Sequence, residues 1–338
     1  MNPYYRQLKK PSILFLAALL TVFTVLFYLL AKSQADSEIH NSLNSENHHI
    51  SQIVSDYILH SMLLLTGLEI LFESSENVTP EEFANASHKL LSQYEGIQAL
   101  EWIPVITEAE RNLFEKTASK MLARRYRITE RSSDNIMIAA ANRDLYFPVY
   151  YMVPLEGNER ALGFDLASEP LRQKALKQSR MECKTIASAP ITLVQEQASQ
   201  KGFLIFTPVL NDEKSCDELL GFVLGVLRYG DLFNDALKVA PNSSEFVINF
   251  YDVTDKKTLL HTTNVYDNCI TDESYIKTRT FSHAGRTWMV ETVAKESYIK
   301  SHYPQEPFYI LVGGVFTSII ILLIHLIFNY KQEQLTDE

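Results

Sequence analysis

A chain of 338 residues with 46% hydrophobic content is long enough to bury a sizeable core, and its length alone permits one large domain or two. A net charge of −10, from 41 acidic against 31 basic residues, excludes the basic surface that nucleic-acid phosphates require. No fixed short repeat or heptad array is present, so solenoid and coiled-coil classes fall away. The three cysteines, Cys183, Cys216 and Cys269, are too few for a disulfide scaffold; three thiols is the plainer reading and a single bridge, leaving one unpaired, the alternative.

The N-terminal residues 1–11 carry Arg6, Lys9 and Lys10, and residues 12–31 follow without a charge. About twenty apolar residues suffice for a helix to cross the hydrocarbon core, and the absence of a small-residue cleavage site makes this stretch an uncleaved signal anchor with a cytoplasmic N-terminus. A second uncharged run, 308–330, is followed by Lys331 and a tail, 331–338. Two spans with both ends inside place 32–307 outside, which in a bacterium means a periplasmic domain of an inner-membrane protein. Gly313, Gly314, Thr317 and Ser318 form a small-residue face suited to close helix packing, and His325 reads as an interfacial residue.

Between the spans, 37–72 contains no proline and only Gly67, and Ile39, Leu43, Ile50, Val54, Ile58 and Leu65 recur at helical spacing. This predicts a long amphipathic helix. His48, His49 and His60 lie on it, but adjacent histidines point to different faces and are read as a solvated surface rather than a metal site. Thr79, Pro80 and Glu82 mark the start of a second helix, and 32–96 is taken as this helical region. An apolar strand with Trp102 is expected at 97–106, a helix at 108–121 with Leu113, Phe114, Ala118 and Met121 inward, and an irregular stretch or hairpin at 124–138.

The stretch 143–209 is the centre of the chain. Two apolar, aromatic and β-branched runs, 146–153 and 202–209, read as buried strands. Between them Ser168 is expected to cap a helix with Pro170 in its first turn and Leu171, Ala175 and Leu176 as its apolar stripe. A strand at 219–227, a helix at 229–239 and a break at 240–244 follow, and then strands at 246–251, 258–262, 276–282 and 286–293. The fold class is α+β, divided into a larger unit, 97–240, and a smaller membrane-proximal one, 241–307.

No G-x-S-x-G, H-E-x-x-H, C-x-x-C or phosphate loop occurs, and no cofactor or metal is expected. Asp165 and Glu169 are spaced for acid and base roles, but a helix-start role suits Glu169 better, so the chain is read as a binding protein and not an enzyme. Asp144 stands directly before an apolar strand, where an inward carboxylate accepts hydrogen bonds from a ligand; the structural alternative is pairing with Arg143 or Arg160. Pocket walls would come from alternating strand positions: Tyr146, Val149 and Tyr151 on one side, and Ala187, Ala189, Phe203 and Ile205 on the other.

The words FPVYY, GFD followed by SEPLR, APITLVQE and GFLIFTPV, preceded by ALEWIPVITEAERNLFE and followed by LLGFVLGVLRYGDL and AGRTWMV, resemble in order the CHASE domain. That family comprises the extracytoplasmic sensors of plant cytokinin receptors and of many bacterial kinases and nucleotide cyclases. The resemblance runs from Ile97 to Val290. It implies two stacked PAS-like mixed sheet modules beside a long N-terminal helix, here flanked by two transmembrane helices. It also implies that RDLY at 143–146 matches a family word whose aspartate contacts an adenine-type ligand. Two positions depart from the pattern: Val105 stands where a basic residue is usual, and Glu182-Cys183 replaces a turn that usually carries glycine.

The expected function is a membrane-anchored sensor binding a small molecule, adenine-type or peptide, and dimeric through the long helix. No kinase or cyclase follows Tyr330, so a separate output protein is expected to receive the signal. The alternative is an extracytoplasmic scaffold that recruits a membrane partner through its spans and binds no small molecule; its signature would be sensitivity at 313–318.

Overall fold

The computed structural model describes residues 11–92, 96–134, 136–193, 201–211, 218–263 and 272–336. Cys216, Cys269 and the basic residues Arg6, Lys9 and Lys10 lie outside them.

Helix α1, Pro11–Glu73, is one element of 63 residues. The apolar run at 12–31 and the amphipathic run at 37–72 fuse because residues 32–36, KSQAD, contain no proline or glycine to break a helix, and Gly67 within the second run is tolerated at modest cost. Ile39, Leu43, Ile50, Val54, Ile58 and Leu65 are all buried, as their spacing predicts. Two helices are long and apolar enough to cross a membrane, Ile13–Glu73 within α1 and Glu306–Gln332 near the C-terminus, each with a window of mean hydropathy 2.7.

The chain forms two compact units. The first contains α1 up to Glu46, the turn Glu273–Tyr275, a short helix Glu296–His302 and the apolar C-terminal helix Glu306–Thr336. Polar contacts tie it together. Ser42 and Tyr298 share a hydrogen bond of 2.9 Å, and the Tyr303 hydroxyl donates to Asp36 at 2.6 Å. Gly314 lies against Thr24, where a Cβ would come within 2.6 Å of the Thr24 methyl, so the small-residue face does admit a close helix approach.

The second unit holds the rest of α1 and two sheets. Helix α2, Pro80–Leu91, starts with Thr79 as its cap and Glu82 bonding back, and α3, Glu108–Met121, repeats the device with Thr107 and Glu110. In α3 only Ala118 is fully buried; Leu113 and Met121 are exposed, because the helix lies at the edge of the unit and turns a narrow stripe inward. The larger sheet runs β6 (Tyr151–Val153), β1 (Ile97–Pro104), β10 (Leu219–Arg228), β9 (Lys201–Leu210) and β7 (Ile186–Ala187), with β8 (Ile191–Thr192) also on β9. All of its pairings are antiparallel.

The run 146–153, expected as one strand, is broken into β5 (Leu145–Tyr146), which pairs with β2 (Ile106–Thr107), and β6. The residues between them hydrogen-bond elsewhere: Val149 donates to the Phe164 carbonyl and Tyr150 to the Trp102 carbonyl. The hairpin expected in 124–138 is β3 (Thr129–Arg131) with β4 (Met137–Ala139).

Helix α4, Pro170–Glu182, covers one face of the larger sheet. Its cap is Glu169, which accepts from the Arg172 amide at 3.1 Å; Ser168 instead bonds the Asp165 carbonyl. This start sets the helix so that Arg172, Ala175 and Leu176 turn inward while Leu171 remains exposed. The helix ends on Cys183 at φ 50°, the left-handed conformation that glycine takes most readily. Cys183 is also disulfide-bonded, so of the two readings the single bridge holds and three free thiols do not; its partner lies outside the described residues.

Helix α5, Tyr229–Lys238, leads to the smaller sheet, of order β12 (Thr258–Thr262), β11 (Phe246–Asp252), β14 (Arg286–Ala294) and β13 (Ile276–His283). The two sheets meet within this unit. The Ala187 amide of β7 donates to the Ala284 carbonyl at the β13–β14 turn, and Phe203 of β9 packs on Trp288 with ring centroids 5.9 Å apart. Asn47 of α1 is buried against the smaller sheet, donating to the Lys277 carbonyl and to Thr292 Oγ1, both at 3.1 Å. Gly225 on β10 leaves room for Leu65 of the same helix, which a Cβ would meet at 3.3 Å.

Candidate ligand-binding site

The larger sheet has two unlike faces because side chains alternate along each strand. Ala99, Ile103, Leu204, Phe206, Phe222 and Leu224 lie on the face under α4 and the loop layer of residues 145–168, and form one apolar cluster with Phe147, Phe164 and Leu176. Leu100, Trp102, Phe203, Ile205 and Leu227 occupy the opposite face, where Trp102 stacks on Phe72 of α1 at 3.8 Å and Phe203 stacks on Tyr229 at 4.7 Å.

This alternation separates the residues singled out from the sequence. Val149 faces the α4 side and lines a small cavity there. Phe203 and Ile205 belong to the opposite face, and Leu204 takes the inward position expected of them. Ala187 pairs with Ile205 and is fully buried, while Ala189 beyond it is half-buried and its carbonyl accepts from Ser188 Oγ at 2.9 Å. Tyr151 donates to the Val78 carbonyl at 3.1 Å and lines an apolar groove of about 270 Å³ with Phe83, Tyr150 and Leu162. The Tyr146 hydroxyl accepts from Arg111 Nη1 at 3.0 Å and from the Arg143 amide at 3.1 Å, and bonds the Glu108 carboxylate, so this ring anchors α3 to β5.

Asp144 is exposed. It stands on the rim of a groove of about 310 Å³ with Arg143, Gln173, Lys177 and Arg180, floored by Phe147 and Leu176. The carboxylate that does turn inward is Asp165 of the GFD word, which is fully buried. Its Oδ1 accepts from the Phe147 amide at 2.9 Å and the Ala167 amide at 3.2 Å, and its Oδ2 pairs with the Arg143 guanidinium, which also holds Glu130. Asp165 and Glu169 are thus engaged in shaping the loop and capping α4, not in facing a common substrate position.

Two polar side chains that sequence reasoning passed over line the small cavity beside Val149. Glu101 of β1 sits opposite Leu224 of β10 and Met152 of β6, and is 2% exposed. Arg172 descends from the first turn of α4 and is 4% exposed. Burial pushes the Glu101 carboxyl up to about 8, against a smaller opposing pull from Arg172. Burial also lowers the Arg172 guanidinium below its ordinary value. The sequence signal for Glu101 was a single charge inside the apolar word ALEWIP, in a strand buried along almost its whole length. Among the described residues no group of three His, Cys, Asp or Glu side chains is placed to hold a metal ion.

The CHASE domain family model matches residues 76–261, more than half of the chain, and the chain belongs to that family. No curated protein matches it. Among solved structures it is similar to the periplasmic sensory domain of the Campylobacter jejuni chemoreceptor Tlp1, with 11% identity, TM-score 0.47, and 79% of this chain and 98% of that one covered. It is also similar to an extracellular ligand binding receptor from Desulfohalobium retbaense, with 10% identity and TM-score 0.39 over 78% of this chain and 40% of that one. A third is methyl-accepting chemotaxis protein X, with 10% identity, TM-score 0.37, and 79% and 98% covered.

Proposed function

We propose that this protein is a membrane-anchored sensor that binds a small molecule outside the membrane and passes the signal to a separate output protein. Residues 12–31 and 308–330 are the spans of an inner-membrane protein, 97–240 form a membrane-distal ligand-binding module of PAS-like build, and 241–307 a stacked membrane-proximal one. Two copies pair through the long helix. Membership of the CHASE family supports the sensor role. The observation that carries the ligand-binding part is a layer between α4 and the larger sheet in which polar groups line cavities within an otherwise apolar core, as small-molecule sites do. Signal transfer is supported by the unbroken course of α1, since a ligand that favours one of two packings of a helix shifts their populations.

The test is thermal unfolding of the full chain in detergent against a library of adenine-type, peptide and organic-acid compounds. A ligand that binds the folded state raises the midpoint with concentration. If no compound does so for a well-folded protein, while substitutions at Gly313 to Ser318 abolish partner recruitment, the scaffold reading replaces the sensor.

A further inference from the structure

The apolar groove that Tyr151 borders is separate from the layer beneath α4 on which the proposed function rests. Helix α2 contributes Phe83, Ala84 and His88, the last two one turn apart on the same side of the helix. The chain entering β6 supplies the rest of the aromatic lining: Tyr150 and Tyr151 stack with ring centroids 4.2 Å apart, and Phe83 meets Tyr151 at 5.6 Å. Arg124 is brought to the groove by the way α3 ends. Ala123 takes the left-handed conformation at φ 47°, and the Ala123 and Arg124 amides donate to the Lys120 and Ser119 carbonyls at 3.3 and 3.2 Å, a closure that turns the chain at a helix C-terminus. Arg124 and His88 are both exposed, and among the described residues no carboxylate pairs with either. Aromatic walls beside two N–H-bearing side chains that no acid occupies are complementary to a flat apolar ring carrying one anionic group.

We propose that this groove is a binding site for a small aromatic carboxylate. The ring lies among Phe83, Tyr150 and Tyr151. The carboxylate accepts from the Arg124 guanidinium, whose planar fork matches its two oxygens, and from an imidazole N–H of His88. Pockets for small molecules begin at about 300 Å³, so a groove of about 270 Å³ selects a compact occupant. Ala84 contributes by its small size, since a longer side chain on that side of α2 takes up the space the ring needs. The Phe83 ring that lines the groove also meets Phe72 of α1 at 6.1 Å, and Phe72 in turn stacks on Trp102. An occupant therefore sits one ring away from the long helix.

The test uses the full chain in detergent with benzoate and phenylacetate, alongside phenylacetamide, which lacks the charge, and hexanoate, which lacks the ring. An aromatic acid should raise the unfolding midpoint with concentration, and the two controls should need at least tenfold higher concentration for the same shift. Arg124→Gln, at an exposed position, should leave the midpoint without ligand unchanged and weaken the acid tenfold or more. Ala84→Leu should fill the groove and abolish the response. Equal effects of phenylacetamide or hexanoate, no response to either acid, or a response that survives both substitutions overturns the assignment. A response that survives Arg124→Gln and vanishes in Asp144→Ala would place the acid in the groove beside α4, overturning this inference while leaving the sensor reading standing.

Discussion

The two faces of the larger sheet are made by the same strands and are filled in opposite ways. On one, Trp102, Phe72, Phe203, Tyr229 and Trp288 interlock in ring contacts that join the sheet to α1, α5 and the smaller sheet. On the other, Val149, Leu204 and Val226 line a small void together with the Glu101 carboxyl and the Arg172 guanidinium. A densely packed face fixes a structure because interiors resist deformation. The second face is less completely filled, and its buried charged groups, not ring contacts, distinguish it.

The sharpest way to break this contrast is truncation on the packed face. Phe203→Ala removes a fully buried ring that stacks on Tyr229 and meets Trp288 at a tilt, and should destabilise the protein by about 3–5 kcal/mol, read as a large fall in the unfolding midpoint.

Next in size, and opposite in sign, is Glu101→Gln. The folded-state value of Glu101 lies near 8, above the ordinary 4.5, so its contribution to stability is fully present below 4.5 and is lost as pH rises through 8. A neutral isostere escapes that loss. The variant should match the wild type near pH 4.5 and exceed it by on the order of 3 kcal/mol at pH 7, at about 1.4 kcal/mol per pH unit above 4.5. Unfolding midpoints of both proteins across pH 4.5 to 8 check this, and parallel curves would remove the claim that the carboxyl is neutral in the folded protein.

Thr107→Ala deletes the cap of α3, whose hydroxyl accepts from the Glu110 amide at 3.3 Å and donates to its carboxylate at 2.7 Å. A loss of about 1 kcal/mol is expected in denaturant titration, with Thr79→Ala costing about as much at α2. The smallest effect belongs to Asp144→Ala. This exposed side chain should change stability by less than about 0.5 kcal/mol, so any loss of ligand response in that variant reports binding and not folding.

Strands and caps were legible because their signals are local. Thr79-Pro80 and Thr107 with Glu110 close hydrogen bonds within one helical turn, and β9, β10 and β12 are uniform apolar or β-branched runs between polar breaks. The site was less legible. In a strand buried on both sides, such as β9, residues on both faces are apolar, so periodicity does not say whether Phe203 or Leu204 faces α4. Asp144 was chosen because it precedes a strand, yet the chain leaves that strand after Tyr146 and turns the side chain to solvent.

By itself the sequence determined two apolar spans, a long amphipathic helix, the helix starts, most strand limits and the family, all of which depend on neighbours along the chain. Only the tertiary structure decided which face of each strand looks where, that Arg172 and not Leu171 turns inward, and that Glu101 and Arg172, 71 positions apart by number, share one cavity. Those outcomes depend on strand order and on the one-residue setting of α4 at its Glu169 cap, and a period-two or period-3.6 pattern carries no information about which distant element supplies the opposite wall.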